Sequence, residues 1–98
     1  MIIPNKFVVH CHPITVRIEE YDTNGSRYGY YNDAKEEIVV FRKVRVEDEM
    51  VDLTETQMEC TFLHELLHLL QFHIKGVIDE TEAQGYAGLL LEYLRTKE

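Results

Sequence analysis

His64-Glu65-Leu66-Leu67-His68 places two histidines four residues apart with a glutamate beside the first. On a helix that spacing projects both imidazoles from one face, a turn apart, so both can reach a single ion. Glu65, one position on, is rotated out of direct ligation yet stays close enough to take a proton from a water held by that ion. The ion that suits two neutral imidazoles, one carboxylate and an open fourth position is Zn2+, which lowers the pKa of its water to about 7. The alternative is a pair of hydrogen-bonded core histidines at chance spacing. These polar groups interrupt Phe62-Leu63, Leu66-Leu67 and Leu69-Leu70, where buried imidazoles and a carboxylate need partners. A metal provides them.

A third ligand has to come from another element, and the last predicted helix offers Glu80 and Glu82. Glu80 shares a face with Ala83, Gln84 and Ala87, whose small side chains allow close approach to the His64 helix, whereas Glu82 groups with Tyr86 and Leu89. Glu80 is therefore the preferred ligand and Glu82 the alternative. Gln84, one turn beyond Glu80, is either an orienting partner for a ligand imidazole or a plain surface glutamine.

The elements that must position these groups are local in character. Thr54 with Gln57 forms a capping-box signal, and apolar residues at helical spacing then extend over about 55–75, with Gly76 placed to end the helix. Asp79 with Glu82 repeats the capping signal ahead of a helix over about 80–96, whose buried stripe is expected to be Ala83, Ala87, Leu90, Leu91 and Leu94. Upstream, Ile14, Val16 and Ile18 alternate with polar residues, residues 22–26 are dense in turn formers, residues 27–31 are extended and aromatic, and residues 37–41 are apolar and β-branched. These predict a small antiparallel meander of about three strands over residues 7–43, with Phe7-Val8-Val9 as a possible fourth, edge strand. Residues 42–52, charged and without a repeating apolar face, read as a solvated connection. The expected fold is α+β, one domain spanning residues 1–98.

The formal charge of -8 and the absence of a Lys/Arg cluster disfavour nucleic acid and anionic membranes as partners. Residues 1–9 hold only short apolar pieces, below a secretory or membrane-spanning segment, so a cytoplasmic setting is expected. There Cys11 and Cys60 would stay reduced.

With His64-Glu65-Leu66-Leu67-His68 and the run from Asp79 to Ala87 (DETEAQGYA) both in view, residues 54–94 resemble the ImmA/IrrE-type metallopeptidases and related small phage or mobile-element zincins. Those proteins pair a His-Glu-x-x-His helix with a later helix close to Glu-x-Glu-Ala-Asn-x-Phe-Ala. The resemblance implies zinc ligation by His64, His68 and Glu80, Glu65 as catalytic base, and a peptide or protein substrate. It also implies a twisted sheet on the active-site helix with one edge strand binding extended peptide, for which residues 37–42 are the candidate. Family members commonly carry Gly where this chain has Leu67 and Asn where it has Gln84. Two other outcomes stay open: a metal hydrolase acting on a different bond, and an interaction module stabilised by zinc without catalysis. Oligomeric state is not readable.

Other polar features carry less. His10-Cys11-His12 looks like a metal tract, but alternating residues on one strand cannot complete a tetrahedral site. Cys60, one turn before His64, is expected to be a small buried thiol, and His73 to lie off the ligand face. Tyr28, Tyr30 and Tyr31 are equally suited to strand packing and to stabilising an oxyanion.

Overall fold

A computed structural model describes residues 3–23, 26–76 and 78–96. Strand β1 (Lys6–Val9) turns through His10 and Cys11 into β2 (His12–Glu19), antiparallel and in register from Lys6 opposite Thr15 to Val9 opposite His12. β3 (Gly29–Asn32) and β4 (Glu37–Phe41) form a second antiparallel pair. β4 also pairs with β2, in parallel, giving one mixed sheet of order β1-β2-β4-β3.

This differs from the expected meander. The turn formers at residues 22–26 do not make β2 and β3 hairpin partners; β3 lies at the far edge, and β4 returns between them. The Asn24-Gly25 step of that turn lies outside the described residues. Burial explains the placement of β4. Glu37 through Phe41 are all buried, and Ile38-Val39-Val40-Phe41 presents apolar side chains to both faces, the pattern of a central strand. Residues 37–42 therefore do not supply the free edge expected of them; β3 does.

Residues 42–52 are also corrected. Lys43–Val46 (β5) and Glu49–Asp52 (β6) form a separate two-stranded hairpin closed by Glu47 and Asp48, both at positive φ. Only Val44 of this hairpin is buried, which is why its composition reads as a solvated loop. Its root is tied to the main sheet by Lys43 N–H donating to the Glu20 carbonyl at 2.8 Å.

Helix α1 (Glu55–Lys75) begins at the expected capping box, with Gln57 N–H donating to Thr54 Oγ1 and the Gln57 side chain accepting from Thr54 N–H. It ends at Gly76, which adopts φ 76° and returns its N–H to the Phe72 carbonyl. Ile14, Val16, Ile38 and Val40 of the sheet meet Phe62, Leu63 and Leu69 of α1, and Ala87 and Leu91 of the second helix close the same core. That helix, α2 (Glu80–Thr96), packs on α1 through Ala83, Ala87 and Leu91, while Leu90 is exposed. The architecture is α+β. Among the described residues no helix is long and apolar enough to cross a membrane.

Gly29 fixes how closely β3 approaches the helix. A Cβ there would stand 2.6 Å from the Val39 carbonyl oxygen and 2.7 Å from Thr61 Cγ2. The missing side chain lets the sheet edge lie against α1 beside His64.

Candidate metal centre

α1 presents His64, Glu65 and His68 where it passes beneath the β3 edge, and donor atoms of the three lie within 4.8 Å of one another. Glu65 and His68 are buried and His64 is partly so. The first residue of α2 completes the group. Glu80 Oε2 lies 3.1 Å from His64 Nε2, and Glu80 Oε1 lies 3.0 Å from His68 Nε2. One carboxylate thus spans both imidazoles although its side chain is 72% exposed.

Glu82 is directed elsewhere. Its Oε1 accepts from Gln71 Nε2 at 2.7 Å and lies 3.6 Å from Lys75 Nζ. Gln71 is a residue beside the site that spacing did not single out. It is buried, its Oε1 accepts from Asp79 N–H at 3.1 Å, and its Nε2 also faces the Asp79 carbonyl at 3.3 Å. Asp79 Oδ1 in turn accepts from Glu82 N–H at 3.0 Å, capping α2. A buried amide on α1 therefore holds the start of α2, and with it Glu80, in place.

The two nitrogens of His68 have different neighbours. Nδ1 is 3.0 Å from Glu65 Oε1 in a buried hydrogen bond. A proton on Nδ1, the tautomer this contact favours, leaves the Nε2 lone pair free. That Nε2 is buried and makes no hydrogen bond, despite its 3.0 Å approach to Glu80. Such an atom, aimed at a carboxylate beside a second imidazole, could ligate a metal ion. The His64 contact to Glu80 is also of ordinary hydrogen-bond length, and donors bound tetrahedrally at about 2.0–2.2 Å would stand about 3.3 Å apart, so both separations are compatible with a shared ion. Burial also lowers the His68 pKa, against the opposing pull of Glu80, and favours the neutral imidazole that ligation requires.

Glu65 is pushed up to about 7, first by burial and also by the negative charge of Glu80; His64, Arg27 and a hydrogen bond from the Tyr31 backbone oppose the rise. The Tyr31 contact follows from strand register. Phe41 N–H donates to the Tyr28 carbonyl, so alternation turns the backbone groups of Gly29 and Tyr31 to the free edge of β3. One of those edge amides is spent on Glu65.

Above these residues is a cleft of about 620 Å³. Tyr28, Tyr30 and Tyr31 all line it, as do Cys60 and Gln84. Tyr31 packs edge-on against Phe72 with its hydroxyl buried, and burial pushes its pKa up to about 12. Arg27 enters the same cleft, held by Asp22 through Nε at 2.8 Å and set 4.5 Å over the Tyr30 ring. No periodicity marks Arg27; only its charge, five residues beyond Asp22 across a turn, offers a sequence signal. Of the histidines set aside, His73 lies against His10 and His12 instead of facing solvent.

Comparison with known proteins gives no match: no family model fits the chain, and no curated sequence or solved structure is significantly similar to it.

Proposed function

We propose that this chain is a zinc-dependent metallopeptidase on a minimal zincin-like scaffold. The observation that carries the reading is the seating of the Glu80 carboxylate, from a second helix, against Nε2 of both His64 and His68. His64, His68 and Glu80 would hold the ion. Bound there, zinc supplies a Lewis acid for a peptide carbonyl and lowers the pKa of water to about 7.

Glu65 supplies the base. Its carboxyl, pushed up to about 7 by burial, is matched to accepting a proton from the attacking water and returning it to the departing amine. Its bond to His68 Nδ1 also orients that imidazole. Arg27, Tyr28 and Tyr30 line the same cleft and are the candidates to meet negative charge developing on the carbonyl oxygen. The unpaired edge of β3 beside the cleft supports an extended peptide as substrate, since the Gly29 amide and the outward carbonyls, which Glu65 does not use, can add a strand.

A peptide-library digest with wild type and Glu65→Gln tests the assignment. Cleavage by zinc-loaded wild type and its loss in Glu65→Gln, with zinc retained, is the expected result. Equal cleavage by both refutes the role of Glu65, and a zinc-loaded wild type that cleaves nothing points instead to an interaction module.

A further inference from the structure

The far end of α1 gathers a second set of donors that the proposed active site does not use. His73 lies five residues beyond His68, about 140° around the helix, and so faces away from Glu80. Its ring is 5.7 Å from that of His10 and 5.3 Å from that of His12. Glu36, at the end of the β3–β4 turn, spans two of the imidazoles: Oε2 is 3.4 Å from His73 Nε2 and Oε1 is 3.6 Å from His12 Nδ1. Three segments distant in sequence thus meet around the Glu36 carboxylate.

We propose that His12, His73 and Glu36, with His10 beside them, form a second site for a divalent transition-metal ion of the zinc class. The site would fasten the β1–β2 hairpin and the β3–β4 turn to the C-terminal end of α1.

Two observations support a ligand here. The His73 side chain is only 10% exposed, and its Nε2 is buried without a hydrogen-bond partner. Glu36 Oε2, 3.4 Å away, is likewise buried and unbonded, so the two polar atoms face each other without satisfying each other. The spacing then matches coordination better than a hydrogen bond. Tetrahedral donors at about 2.0–2.1 Å from zinc stand about 3.3 Å apart, and two imidazole rings on one such ion have centroids about 5 Å apart. The observed separations of 3.4 and 3.6 Å, and of 5.3 and 5.7 Å, lie just outside those values.

The backbone is also held in costly conformations around the cluster. His10, Cys11 and Glu36 all have positive φ, at 49°, 66° and 52°. A two-residue hairpin loop of that shape normally uses Asn-Gly. Here a histidine occupies it and is presented to His73. Imidazole with carboxylate suits zinc, copper or nickel in place of magnesium or calcium.

The test is metal stoichiometry of the full chain, stripped by chelation and titrated with Zn2+, with Co2+ absorption reporting coordination. If both sites bind, wild type takes up about two equivalents, and His64→Ala/His68→Ala retains about one. His10→Ala/His12→Ala, which alters only exposed side chains and should fold normally, is expected to lose one equivalent, as is His73→Ala. Circular dichroism checks the fold of each variant. Retention of full capacity by His10→Ala/His12→Ala, or by a folded His73→Ala, overturns the second site. The active-site reading fails separately: if that site alone is wrong, wild type binds about one equivalent, which His64→Ala/His68→Ala keeps and His10→Ala/His12→Ala loses.

Discussion

Replacing Gln71 with alanine tests whether the buried amide of α1 is what places Glu80. The substitution removes an acceptor for Asp79 N–H at 3.1 Å, a donor to the Asp79 carbonyl at 3.3 Å and a donor to Glu82 at 2.7 Å. A neutral bond contributes about 1 kcal/mol net, and one to a carboxylate about 1.5–3 kcal/mol. The full sum overstates the loss, because Asp79 is exposed and Glu82 partly so, and water can replace the amide at both. About 2 kcal/mol remains, which for a domain of this size lowers Tm by roughly 8–16 °C. Thermal unfolding of the chelated protein by circular dichroism reads this directly. Zinc affinity should fall in the same variant, since the start of α2 is released, whereas Lys75→Ala removes only an exposed contact to Glu82 at 3.6 Å and should shift Tm little. A Gln71→Ala protein within about 2 °C of wild type, with unchanged zinc affinity, would refute the argument that Gln71 carries this junction.

In a His10→Ala/His12→Ala background, which isolates the His64–His68 pair, Glu80→Ala should abolish zinc binding and Glu82→Ala should leave it nearly intact, as measured by competition with a chromogenic chelator; the reverse order would move the third ligand. Gly29→Ala forces a Cβ to 2.6 Å from the Val39 carbonyl, so β3 must shift, at a cost of about 1–3 kcal/mol seen in denaturant unfolding. Burial is the largest influence on the Glu59 pKa and raises it, but the opposing interactions together, among them the hydrogen bond from Arg95 at 2.7 Å and the charge of Arg95, hold the carboxyl below its ordinary 4.5. A depressed carboxyl contributes stability above its unfolded pKa and loses it as pH falls through the folded one. The stability gap between wild type and Glu59→Gln should accordingly be full above about pH 5 and close progressively in more acid solution. A gap independent of pH would remove Glu59 from the account.

Both helices were legible because their signals are local. Thr54 with Gln57, Gly76 and the apolar spacing between them need no knowledge of the rest of the chain, and the observed bounds of α1 follow them. Glu80 could be preferred over Glu82 for a similar reason: helical rotation alone separates the face shared with Ala83 and Ala87 from the face that Gln71 and Lys75 claim. Strand order was not legible. Alternation at Ile14 and Val16 marks a half-buried strand, and a turn-rich segment after it suggests the nearest partner, but pairing is decided by which strand can be buried on both faces. The evenly apolar run of residues 38–41 meets that requirement and displaces β3 to the edge.

That displacement governs what the site can reach. With β4 central, the strand beside His64 is the short, glycine-led β3, and its outward amide at Tyr31 is committed to Glu65. The same rearrangement ends with Glu36 turned toward His73, so the β3–β4 unit touches both donor clusters, through Tyr31 at one end and Glu36 at the other. A reading from sequence could assign His64 and His68 to one face of α1, but not a use for His73. Its partners come from residues 10, 12 and 36, brought together only by parallel pairing of β2 with β4. A donor pair carried on one helix is readable from spacing; a cluster assembled across strands depends on register, which spacing does not encode.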